Sequence, residues 1–360
     1  MKIRYNRFWG IYYIIRLFYL FFSIFVYANL TTLGDTERYL TASIELTPTI
    51  LFNSTAQMDF VCGIIGKLLG GNNILSNFPF MLISFYMIKW SIEQLQFRNK
   101  IPNKLLLFIL SLPNFCIWTS IASKETIGLV FSSILGVLVV NFLRGDYTIR
   151  KRDLFALYLC LVYKPQYSPF IIEGLICIIF IKKYLHKYNT RVAFIFFVIV
   201  ANLSMLYAVR DTVNKYAEIL PMHFISAEAD SNKNENIWTY DDDFFIHAPM
   251  GIIEAFIGPT PQEMISKPTH FLAGIESIVL ICLLFYFCHQ PICKFLARLR
   301  FNMMFFISYT IIFIGICLLH YPFGIFNAGS AIRYRTNFIY MFILLSFHIY
   351  TYYRPRIQKK

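Results

Sequence analysis

The sequence predicts an all-α polytopic membrane protein, and three observations carry that expectation. Hydrophobic residues make up 57% of the 360 residues and charged residues only 15%, with a mean hydropathy of +0.56, which leaves little chain for a soluble module. Apolar stretches near 8–28, 75–95, 105–121, 126–143, 192–209, 268–288, 301–320 and 337–353 each approach the ~20 residues a helix needs to cross a bilayer. Between them, Lys and Arg collect in short clusters: Lys2/Arg4/Arg7, Arg98/Lys100/Lys104, Arg144/Arg150/Lys151/Arg152, Lys182/Lys183/Lys187/Arg191, Lys294/Arg298/Arg300 and Arg354/Arg356/Lys359/Lys360. These hold 21 of the 33 basic residues, and the positive-inside rule assigns all of them to the cytoplasm. Residues 1–360 read as a single integral membrane domain of about ten transmembrane or re-entrant helices, with both termini cytoplasmic.

The first stretch opens on Met1-Lys2-Ile3-Arg4 and runs apolar to Ala28, which resembles a signal peptide. Arg16 interrupts it and many further spans follow, so an uncleaved anchor is expected. Two outward segments are long, 29–74 and 210–267. The first holds Gly34-Asp35-Thr36-Glu37-Arg38-Tyr39-Leu40 and an amphipathic piece over 60–69. The second is acidic, with Asp211, Glu218, Glu228, Asp230, Glu235, Asp241, Asp242, Asp243, Glu254 and Glu263. Residues 154–163 and 168–181 are apolar but short, and Lys164-Pro165-Gln166-Tyr167-Ser168-Pro169 separates them. Two short passes, or a dip and return, keep the basic clusters on either side of them in one compartment, whereas a single kinked span would not.

The formal charge of +13 sits in juxtamembrane clusters that set orientation and meet anionic head groups, which argues against nucleic acid as a partner. Seven of the eight cysteines lie in or beside apolar spans, only Cys62 is in an outward segment, and no CxxC pair exists. Neither a disulfide framework nor a zinc site is supported. Abundant Phe, Ile, Tyr, Lys and Asn with scarce Ala and Gly suggest an AT-rich bacterial genome. There are no internal repeats and no glycine-rich phosphate loop, so no nucleotide cofactor is indicated, and any reaction would draw on substrates already in the membrane. A divalent metal has no clear ligand set.

The candidate chemistry lies on the outward side. In a helix, Asp35, Arg38 and Tyr39 share a face while Glu37 points away. A carboxylate beside an arginine stays ionised, which suits a base; the competing reading makes Asp35 the cap of a short helix beginning at Thr36. Arg333 and Arg335 precede the last span, with Arg210 and Lys124 at comparable depth. Outward arginines run against the charge rule, and guanidinium groups bind phosphate oxygens in a bidentate fashion. The alternative is that they form ion pairs with outward acids. Lys124-Glu125 is equally well explained by snorkelling or mutual pairing. Asp241-Asp242-Asp243 resembles a metal site, but consecutive residues diverge, so a solvated acidic loop is the better account. His247 and His270 have no partner at metal-ligand spacing, and His320 reads as packed or interfacial. Glu173 and Glu276 lie inside apolar segments and are functional candidates or paired structural groups.

With these residues assembled, the chain resembles the GT-C class of membrane glycosyltransferases. The resemblance rests on a first span followed by an outward Gly34-Asp35-Thr36-Glu37-Arg38-Tyr39 segment, a Pro113…Trp118-Thr119-Ser120…Lys124-Glu125 turn, and a late outward Arg333-Tyr334. Size and the large second outward segment look most like Wzy-type polymerases of O-antigen or capsule repeats in lipopolysaccharide and capsular polysaccharide biosynthesis. The resemblance implies a bacterial inner-membrane enzyme acting on glycans carried on polyprenyl (undecaprenyl) pyrophosphate. It also implies a flippase and a chain-length regulator of the same pathway as partners. Asp35 would be the base, with Glu37 as the fallback. Arg38, Lys124, Arg210, Arg333 and Arg335 would hold substrate. The chain departs from the class in lacking a second carboxylate pair that matches a GT-C metal site, and no soluble sugar-binding domain follows the spans. The rival readings are a GT-C enzyme that adds a single sugar, a transporter or flippase of lipid-linked sugars, and a non-catalytic envelope scaffold.

Overall fold

A computed structural model describes residues 6–224, 237–298 and 303–353. Lys2, Arg4, Arg300, Arg354, Arg356, Lys359 and Lys360 of the basic clusters, and Glu228, Asp230 and Glu235 of the acidic segment, lie outside the described residues. The chain is all-helical, 83% helix, with no strand among the described residues. Among the described residues, six helical stretches are long and apolar enough to cross a membrane: Arg7–Asn29, Lys124–Arg144, Pro165–Tyr184, Tyr188–Ala208, Pro268–Gln290 and Tyr309–Phe326.

The chain divides into two compact units. The first comprises 1–141, 148–168 and 336–360, and the second 142–147 and 169–335. The first unit contains α1 (Arg7–Phe25), α2 (Thr36–Leu40), α3 (Ser54–Leu69), α4 (Ile74–Gln94), α5 (Asn103–Leu110), α6 (Pro113–Trp118), α7 (Lys124–Arg144), α8 (Lys151–Tyr163) and, far on in sequence, the closing helix. The second contains α9 (Ser168–Ile179), α10 (Tyr188–Ala208), α11 (Arg210–Phe224), α12 (Asp243–Ile257), α13 (Pro261–Ser266), α14 (Pro268–Arg298), α15 (Met303–Phe306), α16 (Gly315–Phe326) and α17 (Ala328–Tyr334). The closing helix of the first unit is α18 (Thr336–Tyr353).

Several expectations are corrected. The apolar stretch 105–121 is not one span. It is split into α5 and α6, because Pro113 lacks an N–H and instead opens α6 at its first turn. The two long segments expected to face outward, 29–74 and 210–267, carry helices among their described residues: α2 and α3 in the first, and α11, α12 and α13 in the second. The late span begins further on than the hydropathy suggests, at Tyr309. The apolar run after Ser168 reaches spanning length because it continues through a π-helical turn, Phe180–Tyr184. Helices α4 and α18 form where expected but fall outside the six apolar stretches. Buried Ser76, Asn77, Ser84 and Ser91 dilute α4, and α18 carries Asn337, Ser346 and His348. Every residue of α18 from Thr336 to Tyr350 is buried, so it is a core helix of its unit.

Packing of the first unit follows its small and aromatic residues. Gly128, Ser132 and Gly136 recur every fourth position along α7. A Cβ at Gly128 would strike Asn337, and one at Gly136 would press on Leu344 and Met341. That small-xxx-small stripe lets α7 and α18 approach closely, as membrane helices must when apolar burial adds little. Aromatic contacts close the rest: Tyr12 stacks on Phe85 with centroids 5.9 Å apart, Phe115 stacks on Tyr340 at 5.9 Å, and the Tyr340 hydroxyl meets Ser91 Oγ at 2.6 Å. In the second unit Trp238, Phe244, Tyr321 and Phe326 form an aromatic cluster between α12 and α16. Its tightest pair, Trp238–Phe326, lies edge to face at 4.7 Å.

Candidate functional site

Helix α2 begins seven residues after the apolar stretch Arg7–Asn29, whose last turn, Tyr27–Asn29, is a 3-10 helix. Asp35 occupies the position before α2 but makes no capping hydrogen bond. Its carboxylate turns to its own helix face instead: the Tyr39 hydroxyl donates to Asp35 Oδ2 at 3.3 Å, and Arg38 Nε lies 3.6 Å from Oδ1. This is the face expected from helical spacing, and Glu37 is exposed on the other side.

Asp59 of α3 joins this face and was not anticipated. Arg38 Nη1 lies 3.7 Å from Asp59 Oδ1, so one guanidinium sits between two carboxylates, and its plane covers the Tyr39 ring at 4.7 Å. Arg38 and Asp59 line a polar cavity of 480 Å³ together with Ser43, Glu45, Thr47 and Thr49, while Asp35 and Tyr39 stand behind Arg38, outside its wall. Arg38 and Asp35 are 51% and 43% exposed. Ion pairs at such exposure contribute ~0–1 kcal/mol, so stability gives little reason for the arrangement. Cys62 lies one turn further along α3, where burial and then Asp59 push its thiol up to about 12, disfavouring the thiolate.

Helix α3 holds α2 through two glycines. A Cβ at Gly66 would fall on the Leu40 carbonyl oxygen, and one at Gly63 would lie 2.8 Å from the Ala42 oxygen. The same helix reaches the start of α7, where Lys124 Nζ donates to Thr55 Oγ1 at 2.8 Å. Lys124 and Arg38 are thus both partnered by α3, one turn apart.

The turn that presents Lys124 is built on buried polar groups. Arg16, wholly buried in α1, donates to Thr119 Oγ1 at 2.9 Å and to the Thr119 carbonyl at 2.6 Å. Ser84 Oγ donates to the same carbonyl at 2.5 Å, and Asn77 Oδ1 accepts from Ala122 N at 2.8 Å. Glu125 is fully buried beside it. The sequence signals of this frame were the interruption of the first apolar run by Arg16 and the turn from Pro113 to Glu125.

The second unit contains the remaining candidates. Arg210 Nε lies 3.3 Å from Asp242 Oδ1, and Asp242 is locked by reciprocal bonds with Asn214, each at 3.2 Å. Asp243 accepts the Thr239 and Tyr240 amides, each at 2.8 Å. The Tyr240 amide first, then the other donors, hold its carboxyl below the usual range. The acidic run is therefore a structural turn; its residues diverge, and no cluster of metal-ligating side chains occurs among the described residues. Arg333 is half-buried with its guanidinium over Tyr334 at 5.4 Å. Arg335 points the other way, into the protein. Its guanidinium is fully buried, 3.4 Å from Glu276 Oε1, and it donates to Ser277 Oγ at 2.6 Å and to the carbonyls of Phe256, Gly258 and Ala273 at 3.0, 3.3 and 3.3 Å. That corrects the expectation that Arg333 and Arg335 converge on one ligand. Arg335 has the structural ion-pair role, and Glu276 is its partner. Glu173 is held by Asn202 at 2.5 Å.

No family model, curated protein or solved structure matches this chain.

Proposed function

We propose that the chain is a glycosyltransferase of a bacterial inner membrane that polymerises oligosaccharide repeats carried on undecaprenyl pyrophosphate, as in O-antigen or capsule assembly. The observation that supports this reading is the Asp35–Arg38–Tyr39–Asp59 group beside its polar cavity, directly after the first span. A lipid-linked sugar presents its pyrophosphate and first ring at that depth. Asp35 takes the proton of an acceptor hydroxyl, the oxygen attacks the anomeric carbon of the donor, and the carbon–oxygen bond to pyrophosphate breaks. Lys124 is the cation of the first unit offered to the departing pyrophosphate, and Arg333 and Arg210 are the substrate-binding candidates of the second. Arg38 holds the Asp35 carboxylate in place from 3.6 Å, and Arg335 is reserved to the scaffold. The resemblance makes a flippase and a chain-length regulator the expected partners.

The proposal includes ten spanning or re-entrant segments with both termini cytoplasmic, so that 210–267 faces outward. Alkaline phosphatase fused after residue 240 is expected to be active and after residue 150 inactive; the reverse pattern would overturn the orientation.

The reaction is tested with Asp35→Asn. Because the Asp35 side chain caps nothing, Asn should leave expression and folding intact while removing a base whose contribution is about 10²–10⁴-fold. Cells carrying only this variant should display surface glycan with a single repeat unit instead of a ladder. A normal ladder would remove Asp35 from the chemistry.

Buried charge inside apolar helices, Arg16 in the first span and Glu276 with Arg335, favours a second reading, transport of lipid-linked sugars. The two readings differ in phenotype. Loss of a flippase removes all surface glycan, whereas loss of a polymerase leaves the single repeat.

A further inference from the structure

We infer that the end of the first unit opposite to α2 carries a binding site for the phosphate of an anionic phospholipid. Two basic clusters that are remote in sequence meet there. Arg7, Arg98 and Lys104 line one cavity of 730 Å³, and none of its lining residues is acidic. Glu93 lies 3.5 Å from Arg98 but is shared with the Trp9 indole, which donates to it at 2.6 Å. It therefore offsets one cation, and among the described residues no acid lines the cavity beside Arg7 and Lys104.

Backbone groups add to the field. Helices α1 and α5 both begin at the cavity, and Asn6 and Asn103 line it. The residue before α5 is Pro102, which provides no side-chain cap, so the first-turn amides of α5 remain available to an anion at the positive end of the helix.

The apolar side of the site points to a lipid as the source of the phosphate. Phe8, Ile11 and Leu107 complete the cavity wall. From there an exposed stripe runs down α1 through Ile11, Ile14, Phe18, Phe21 and Phe25, at 39–63% exposure. Those positions follow helical periodicity on one face of a membrane-length helix, so an acyl chain can lie along them while the head group occupies the cavity. Arg7 starts that helix, which places the cations at head-group depth.

The test uses the full-length protein in detergent, titrated with phosphatidylglycerol, phosphatidylcholine or inorganic phosphate and read by native mass spectrometry and thermal shift. Phosphatidylglycerol should be retained selectively. Lys104→Gln and Arg7→Gln should each weaken its retention about fivefold. Both residues are exposed, so folding should be unaffected. Lys187→Gln, in a different basic cluster, should change nothing. Equal retention of phosphatidylcholine, no effect of Lys104→Gln and Arg7→Gln, or an equal effect of Lys187→Gln would each overturn the site. Stabilisation by inorganic phosphate at the same concentration would overturn the lipid as its source.

Discussion

Arg335→Ala is expected to destabilise the protein by about 3–5 kcal/mol, the cost of removing one partner of a buried ion pair. The side chains of Arg335 and Glu276 are 0% and 1% exposed, so the carboxylate left behind cannot recover its solvation. The loss extends beyond the pair. Arg335 also donates to the Phe256 and Gly258 carbonyls at the end of α12, which have no further helical turn to bond them. It thereby ties α12 to α14 from the end of α17. Glu276→Gln should cost less, because an amide oxygen still accepts from the guanidinium and the other acceptors remain. The measurement is the fraction of monodisperse protein in detergent as a function of temperature. Arg335→Ala should lower the midpoint by roughly 10 °C, and Glu276→Gln by a smaller amount. Arg333→Ala should leave the midpoint unchanged and abolish glycan product, with Arg333→Lys restoring only part of it. A thermally normal Arg335→Ala would return that residue to the list of substrate ligands.

What could be read from the sequence divides along contact distance. Asp35, Arg38 and Tyr39 were placed on one face because helical spacing alone dictates it. The divergence of the acids at 241–243 follows from the same spacing, but the solvated loop expected there does not hold, because Asp243 is buried and accepts two amides and Asp242 is paired with Arg210. Asp59 was missed: its approach to Arg38 depends on a non-periodic connection, 41–53, that no local rule specifies. Glu276 was identified as an ionisable group inside an apolar segment, but its partner is 59 residues away. Arg16 was seen as an interruption of a span, yet the reason for it, Thr119, lies 103 residues on. Hydropathy located most helices and erred where composition conceals a backbone constraint, as at Pro113. It also counted 337–353 as a span, whereas α18 falls outside the six apolar stretches and buries Asn337, Ser346 and His348 in the core of its unit.

Gly66→Ala is expected to abolish product without touching any candidate catalytic side chain. Alanine is the better helix former by ~1 kcal/mol, so α3 in isolation would gain stability from the change. In the protein the added methyl would fall on the Leu40 carbonyl oxygen. That atom belongs to the backbone, so no rotamer change can make room for it. Overpacking of this kind costs about 1–3 kcal/mol or more, which exceeds the gain in propensity. The cheapest relief is for α2 to move away from α3. Arg38 would then lose Asp59 and shift in the cavity wall, and Asp35, which it holds, would move with it. A displacement near 1 Å suffices to lower catalysis about 100-fold when a reacting group must be held in position. Gly63→Ala, whose Cβ would lie 2.8 Å from the Ala42 oxygen, should show the same effect in weaker form. Hydrogen exchange read by mass spectrometry reports the movement directly. Amides of 36–42 should exchange faster in Gly66→Ala than in Gly63→Ala, and faster in both than in the parent, while α14 and α18 remain protected. Unchanged exchange in 36–42 together with a normal glycan ladder would show that α2 does not depend on this contact, and that the Asp35 face is held by other means.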